Sequence, residues 1–399
     1  MNALGSHIQA KAAIPSGPAR RHSVVTYVAA TFICATLIVS SSVSAQTSHS
    51  RCTFDPGATT PSCVAVTPDG TELWVGSGTG VVTVVRLSDH AVVATIPVGY
   101  GALEIAISPD GAYAIVTNTV NGFNSTWIAT ATRTVVCNIS GGVDPSGVVF
   151  TPDGDTALIV AHWSGILQGV SKGACAADYT IGGLGNGCYD VVVTPDGRFA
   201  YAAGRATGPN PGPYVTYKVD LPARAVVGTV PTTGEGIDIT PDGSFILACG
   251  TNTANPSDHY VRVVATATDA VVDSVFIGGF PNKVRISPDG LYAYVTMQND
   301  SSMAVLSIAD RAVIAVLPVG HKPNGVTVSP DGLHIFVANY DSDCITEITT
   351  SCVWIPAAPP CMDRKSDLNC DAVEDVFDVI YLIDYVFGGG PQRVACPQE

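Results

Sequence analysis

The tetrapeptide Thr67-Pro68-Asp69-Gly70 recurs six more times along this chain, with only Thr and Ser exchanged at its first position. Proline presets the first corner of a turn, aspartate tolerates the second, and glycine takes the left-handed position. Each copy therefore predicts a tight turn between two strands. Successive prolines lie 41 to 47 residues apart, and the further copies are Ser108–Gly111, Thr151–Gly154, Thr194–Gly197, Thr240–Gly243, Ser287–Gly290 and Ser329–Gly332.

Apolar and β-branched residues surround each turn, as in Val64-Ala65-Val66 before the first copy and Ile115-Val116-Thr117 after the second. Such segments are typical of strands. A third segment, such as Val81–Leu87, and a fourth, such as Ala91–Pro97, complete each unit. A repeat of this length indicates one propeller blade. Four strands in each of seven units predict an all-β, seven-bladed β-propeller.

The repeat resembles the YVTN family of propellers over roughly residues 52–357. Tyr294-Val295-Thr296 corresponds to the strand that gives the family its name, and Val319–Val326 is similar to its linker between blades. The resemblance implies the propeller fold. Some related propellers are lactonases or subunits of quinoprotein and haem enzymes, so it leaves both binding and catalysis open.

The closure of the ring has two solutions in the sequence. The last blade takes its outer strand either from Cys352–Ile355 or from the N-terminal segment Arg51–Phe54, and we expect a clasp that uses both ends. Pairing of the N-terminal segment would bring Cys52 near Cys344 and Cys352, where a disulfide would lock the ring.

The N-terminus has the pattern of an export signal. Arg20 and Arg21 precede an apolar run from Val24 to Val39, and Val43-Ser44-Ala45 supplies a small-residue cleavage site. We expect a signal peptide over residues 1–45, bacterial-type export, and a secreted, cell-surface or periplasmic protein without a later membrane span. The alternative is an uncleaved anchor, but the run is shorter than the ~20 residues that a span prefers.

The mature chain is strongly acidic and rich in cysteine. The full chain has 19 basic and 34 acidic residues and a net charge of −15. This charge disfavours nucleic acid as a partner and favours cations. Removal of residues 1–45 leaves eleven of the 12 cysteines for an oxidising compartment, which predicts disulfides and at least one thiol without a partner in the chain.

The C-terminal residues predict a calcium loop. Oxygen donors in EF-hand spacing start at Asp367, Ala372 stands where glycine is usual, and an apolar helical stripe follows. The segment resembles one repeat of a type I dockerin, which implies calcium binding and tethering to a cohesin-like protein partner through Val376 and Phe377. The alternative to a calcium loop is an acidic helix cap without metal. The predicted Ca²⁺ ligands are Asp367, Asn369, Asp371, Val373 through its carbonyl, Asp375 and Asp378.

These patterns divide the chain into four parts. We expect the signal peptide over 1–45, the propeller over 46–357, a proline-rich linker over 358–362 and the dockerin-like module over 363–399. Cys361, Cys370 and Cys396 bracket the module, and a bridge from Cys396 to one of the other two would stabilise so small a unit.

The face opposite the repeated turns is the expected ligand face. It contains the loops between second and third strands and the links between blades, and two of these loops, Gly204–Pro213 and Thr251–Tyr260, are enlarged. Loops that a rigid scaffold positions over a channel are favoured sites for ligands. The candidate residues are Glu104, His162, Trp163, Asp190, Arg205, Asp238, His259, Lys283, His321, Lys322 and Tyr340.

The sequence contains no nucleophile elbow, zinc-protease motif, phosphate loop or haem-attachment motif. The favoured hypothesis is therefore an exported binding or scaffold protein that recognises a protein or a glycan. The alternative is an enzyme acting on lactones or polysaccharides, with a triad of His162, His259 and His321, or a carboxylate pair among Glu104, Asp190 and Asp238. A third hypothesis is a structural surface-layer protein with a featureless channel.

Overall fold

The computed structural model describes residues 52–119, 124–140, 144–185, 187–206, 213–232, 234–252 and 255–350. Within these ranges the chain forms an all-β, seven-bladed propeller, as the repeat predicts. Each blade is an antiparallel sheet whose strands follow one another in chain order. The first strand of each blade contacts the first strand of the next, and the contact of β1 with β25 closes this inner ring around a central channel.

The first four blades contain strands β1 to β16. Their bounds are β1 Pro61–Val66, β2 Glu72–Ser77, β3 Val81–Arg86 and β4 Ala91–Pro97 in blade 1; β5 Ala102–Ile107, β6 Tyr113–Asn118, β7 Asn124–Ala129 and β8 Thr134–Ser140 in blade 2; β9 Pro145–Phe150, β10 Thr156–Ala161, β11 Ile166–Ser171 and β12 Tyr179–Ile181 in blade 3; β13 Asp190–Val193, β14 Phe199–Arg205, β15 Tyr214–Asp220 and β16 Ala225–Pro231 in blade 4.

The last three blades contain strands β17 to β27. Their bounds are β17 Gly236–Ile239, β18 Phe245–Asn252, β19 Asn255–Ala265 and β20 Ala270–Phe276 in blade 5; β21 Pro281–Ile286, β22 Tyr292–Met297, β23 Ser302–Ser307 and β24 Ala312–Pro318 in blade 6; β25 Pro323–Val328, β26 His334–Asn339 and β27 Cys344–Thr349 in blade 7.

The hydrophobic core lies between the blades rather than within one of them. The buried apolar residues form seven clusters, and each cluster joins two adjacent blades, including blade 7 with blade 1. The second strand of a blade is buried on both faces, as in β2, where Leu73, Trp74 and Val75 are all inaccessible to solvent. Strands covered on both faces consist of continuous apolar runs, which explains the segments that follow each Pro-Asp-Gly turn.

The repeated turns form a closed ring on one face, which we call the lower face. In every copy the Ser or Thr hydroxyl donates a hydrogen bond to the Asp carboxylate, for example Thr67 Oγ1 to Asp69 Oδ1 at 2.6 Å. Every turn glycine has a positive φ. It also faces the turn proline of the preceding blade, and Gly70 faces Pro330 of the last blade.

The N-terminal segment closes blade 7. Thr53 N donates to Ile345 O at 2.8 Å, and Phe54 pairs with Ile345 in an antiparallel bridge. A disulfide joins Cys52 to Cys344. The prediction that the N-terminal segment pairs there, and that Cys52 bonds in this region, is confirmed, whereas the contribution expected from Cys352–Ile355 lies outside the described residues.

A second disulfide, Cys137–Cys175, joins the outer strand of blade 2 to the segment before β12 of blade 3. Two disulfides indicate an oxidising, extracellular-type environment. In the described part of the chain, three buried cysteines remain as thiols, namely Cys63, Cys188 and Cys249.

One expected loop is a hairpin instead. The sequence predicts a loop over Thr251–Tyr260, but β18 and β19 continue through this region and pair as far as Asn252 with Asn255. Backbone hydrogen bonding across the hairpin outweighs the turn-forming residues here. The described ranges contain no helix with the length and hydropathy needed to cross a bilayer. The predicted signal peptide, the predicted linker and the predicted dockerin-like module with its predicted calcium ligands lie outside those ranges.

Candidate functional site

Charged side chains occupy matching positions on the inner strands. Glu104 on β5, Asp190 on β13 and Lys283 on β21 each lie five residues before their turn proline, and Asp238 on β17 and Arg285 on β21 lie three residues before theirs. The sequence places the first four on upper loops, but the structure places them on the strands that line the channel. Alignment on the turn proline alone reveals this shared register.

These five residues form an ionic network across the channel. Lys283 Nζ lies 2.5 Å from Glu104 Oε2 and 3.0 Å from Asp190 Oδ2, and Arg285 Nη2 lies 3.0 Å from Glu104 Oε1. Glu104 belongs to blade 2 and Lys283 to blade 6, which are separated by two blades in one direction and three in the other. Their side chains meet only by crossing the axis, so the network ties opposite sides of the ring together.

Glycines on the neighbouring inner strands make this network compact. A Cβ on Gly147 would lie 2.6 Å from Asp190 Cα, and one on Gly236 would lie 2.6 Å from Asn282 O. Both distances are shorter than van der Waals contact allows, so only glycine permits the inner strands to approach this closely. The close approach brings the carboxylates and cations within bonding distance of one another.

The electrostatics of the network are strongly coupled. Burial alone would lower the pKa of Lys283, but Asp190 and Glu104 outweigh it and hold the pKa above its ordinary value. Burial raises the pKa of Asp238 to about 6, against an opposing effect of Arg285 and of hydrogen bonds from the amides of Ile286 and Ile239. The charge of Asp238 therefore changes near pH 6.

The carboxylates of Glu104 and Asp190 are engaged by cations in the structure. Both carboxylate oxygens of Glu104 accept from cations, one from Lys283 and one from Arg285. Asp190 bonds to Lys283 and to the amide of Val191. Carboxylates engaged in this way stabilise the ring and are poorly placed to transfer a proton to a substrate. The surface-layer hypothesis predicts a channel without charged features. The ionic network is such a feature, so the channel gives that hypothesis no support.

The buried thiols are not candidate nucleophiles. Burial raises the pKa of Cys188 to about 12 and raises the pKa values of Cys63 and Cys249 well above the ordinary thiol value. Because the thiolate is the reactive form, thiols in this environment are inert.

A row of aromatic rings lies on the upper face, opposite the repeated turns. His162 and Trp163 follow β10, Tyr189 precedes β13, and Tyr214 begins β15. The ring centroids of Trp163 and His162 are 4.4 Å apart, those of His162 and Tyr189 are 4.6 Å apart, and those of Tyr189 and Tyr214 are 6.3 Å apart. We call these four residues the aromatic patch. Trp163 is 57 % exposed, whereas Tyr214 is buried.

Polar groups border the inner end of the aromatic patch. The guanidinium of Arg205 lies 4.4 Å from the Tyr214 ring centroid, and its Nη2 donates to the Tyr214 hydroxyl at 2.8 Å. That hydroxyl donates to Glu235 Oε1 at 3.1 Å. Burial raises the pKa of Tyr214, and the nearby carboxylate of Glu235 raises it further, so the phenol remains a donor. These groups are held in place before any ligand arrives.

The outer end of the patch is fixed as well. His162 Nδ1 lies 3.3 Å from Asp144 Oδ2, and the His162 amide donates to the Asp144 carbonyl at 2.8 Å. Tyr189 directly precedes Asp190, so the aromatic patch adjoins the ionic network of the channel.

The remaining predicted site residues lie over other blades. His321 Nδ1 is 3.0 Å from Ser301 Oγ, and the His259 ring packs 6.4 Å from Phe280. The Lys322 ammonium lies 4.7 Å from the centroid of Tyr340. His162, His259 and His321 each contact a different neighbour at a different blade, so these contacts do not assemble the triad that the enzyme hypothesis names.

Sequence reasoning identifies most of these residues but misses five of them. The five absent from the predicted set are Arg285, Tyr189, Tyr214, Glu235 and Asp144. Arg285 would have been found from its position relative to the turn proline, as Asp238 shares that position. Packing of blades 3, 4 and 5 brings together Tyr189, Tyr214 and Glu235, and no local sequence pattern predicts that contact. Within the described ranges, no group of three or more His, Cys, Asp or Glu residues is arranged to hold a metal ion.

Comparison with known proteins supports the fold. No protein-family model matches the chain, and no curated protein matches it. Among solved structures, hydrazine synthase from Kuenenia stuttgartiensis superposes with a TM-score of 0.67 at 22 % sequence identity, over 77 % of this chain and 99 % of that chain. A likeness at this identity concerns the fold alone. The chain is a seven-bladed β-propeller of the same general architecture as that structure.

Proposed function

We propose that this protein is an exported binding protein, of the YVTN type by its repeat, whose propeller holds a protein or glycan ligand on the upper face. The observation that carries the proposal is the aromatic patch, in which an exposed Trp163 stands at one end of a row of rings and the fixed polar groups around Arg205 stand at the other. Aromatic residues and arginine dominate binding energies at recognition sites. The ionic network below contributes a rigid base, because it prevents the blades from spreading.

Export is supported by the two disulfides and by the pattern of the first 45 residues. Disulfides persist in oxidising compartments and are rare in the cytosol. The proposed location is the exterior or the cell surface, with the periplasm as an alternative. Mass spectrometry of the protein from the culture fluid tests this point, with a mature N-terminus near Gln46 as the expected result.

The C-terminal module is proposed to bind calcium and to tether the propeller to a cohesin-like partner. Its donor set consists of carboxylates, a carboxamide and a carbonyl, which are the hard oxygen ligands that Ca²⁺ prefers. Asp367 and Asp378 stand at the first and last loop positions. Calorimetry with the full chain is expected to show binding that D367A/D378A abolishes. An unchanged heat of binding in the variant would contradict the assignment.

The ligand face is tested by capture of secreted and cell-wall material from the producing organism on the immobilised full chain. W163A is expected to lose the captured ligand. Y100A is the matched control, since Tyr100 is 56 % exposed on the same face but lies between blades 1 and 2. Equal capture by W163A and wild type would place recognition elsewhere. A parallel capture with a calcium chelator separates the contribution of the tail from that of the propeller.

A further inference from the structure

Resting on the proposed function, we infer that the ligand of the aromatic patch is a neutral polysaccharide, and that Trp163 provides the surface on which a sugar ring stacks. The face of a sugar ring carries C–H groups that pack on a flat aromatic surface, while its edge carries hydroxyl groups. A site for such a ligand needs an exposed ring and, beside it, donors and acceptors with fixed positions.

The exposed ring is Trp163. Its indole is 57 % exposed, although tryptophan is a residue that folding normally covers: Trp74 and Trp127 are completely buried in the same propeller. The His162 ring contacts it edge-on with centroids 4.4 Å apart, and the Tyr189 ring in turn packs against His162 with centroids 4.6 Å apart. The platform is therefore held in place and loses little conformational freedom when a ligand stacks on it.

The fixed donors and acceptors lie farther along the same row. Arg205 offers a planar set of N–H donors, and Glu235 offers carboxylate oxygens. Gly187 makes room for this arrangement, because a Cβ there would lie 3.2 Å from Arg205 Cδ and 3.5 Å from Tyr189 Cε2. Together they match the alternating donors and acceptors of sugar hydroxyls.

The surroundings of Trp163 disfavour a protein ligand. A stable protein interface covers about 800 Å² on each partner and has an apolar centre. Among the described residues of blades 3 and 4, the large apolar side chains that stand exposed are Trp163 and Val227, and Val227 lies on the outer strand β16. A single exposed ring within polar surroundings is suited to a sugar rather than to a protein surface.

The negative charge of the chain favours neutral glycans over acidic ones as ligands. The net charge is −15, and Glu235 and Asp144 lie at the two ends of the patch. Acidic polysaccharides and nucleic acids would be repelled. A neutral glycan has no such penalty, so the inference is restricted to neutral chains.

The test is titration of the full chain with oligosaccharides of cellulose, xylan, mannan and chitin, and with oligogalacturonate as the acidic comparison. A neutral oligosaccharide is expected to change the tryptophan fluorescence, because Trp163 is accessible while Trp74 and Trp127 are buried. The change is expected to persist in W354F, which removes the tryptophan outside the described residues. By calorimetry, W163A is expected to weaken binding about tenfold and Y100A less than about twofold.

Binding of oligogalacturonate alone, or equal affinity in W163A and wild type, would overturn the inference. So would the absence of binding by every oligosaccharide at roughly millimolar concentration. In that last case, capture of a protein that depends on Trp163 would leave the proposed binding function standing and refute only the glycan. Absence of both would refute the two together.

Discussion

Removal of the disulfide between Cys52 and Cys344 is expected to destabilise the propeller more than removal of the second disulfide. The two bridges span 292 and 38 residues respectively. In the chain-entropy treatment, a crosslink restricts the unfolded chain more as its loop lengthens, which gives about 5.7 kcal/mol for the first bridge and about 3.9 kcal/mol for the second. The first bridge also holds the N-terminal segment on β27, where Phe54 joins the cluster that links blades 7 and 1.

The assay is chemical unfolding of C52A/C344A, with C137A/C175A as the matched control. Both variants lose one bridge, so the comparison isolates loop length and ring closure. C52A/C344A is expected to lose about 1.8 kcal/mol more of its free energy of unfolding than the control, and to unfold with a lower midpoint in urea. Equal losses, or a larger loss in the control, would show that the closure of the ring does not depend on this crosslink.

Three further outcomes follow from the channel and the core. E104Q leaves Lys283 with one carboxylate fewer and is expected to destabilise the fold by about 3 kcal/mol or more, as measured by thermal unfolding. The control is D89N, which removes a carboxylate from the exposed pair with Arg86 and is expected to change stability less. The pKa of Asp238 in the folded chain is about 6, which is above its ordinary value of 3.8. The stability that this residue contributes is therefore complete below pH 3.8 and is lost as the pH rises to 6. The free energy of unfolding of D238N, measured as a function of pH, should lack that decline. The three buried thiols should resist alkylation in the native protein and react after unfolding, as mapped by mass spectrometry; labelling of all three in the native state would contradict their burial.

The fold was predictable because each of its determinants is local and repeated. Proline, aspartate and glycine specify the turn, and strand segments such as Ala91–Pro97 match the observed strand in both bounds. The role of the leading Ser or Thr was not predicted: its hydroxyl bonds to the Asp carboxylate and accepts from the amide five residues ahead, as Thr67 does from Glu72. That role depends on the conformation that the turn adopts, which the residue types alone do not specify.

The site was predictable only in part, because its contacts join residues that are distant in sequence. Glu104 and Lys283 are 179 residues apart, and nothing near either one names the other as a partner. An exposed residue such as Trp163 can be located in a loop from the sequence, but the contact of Tyr189 with His162 and the link from Tyr214 to Glu235 come from blade packing. Contacts across the axis arise only when the seven blades close into a ring, so a sequence pattern that describes one blade at a time does not predict them.

The corner contacts on the lower face have a consequence for how this chain can evolve. Each turn glycine faces the turn proline of the blade before it, so every blade supplies one glycine and one proline to these contacts. The pairing of Gly70 with Pro330 closes the series. Such head-to-tail contacts either close into a circle or continue indefinitely. Duplication or loss of a whole repeat would keep the glycine and proline of every remaining repeat and yet change the geometry that joins the last blade to the first, so ring closure constrains the number of repeats separately from the residues within each repeat.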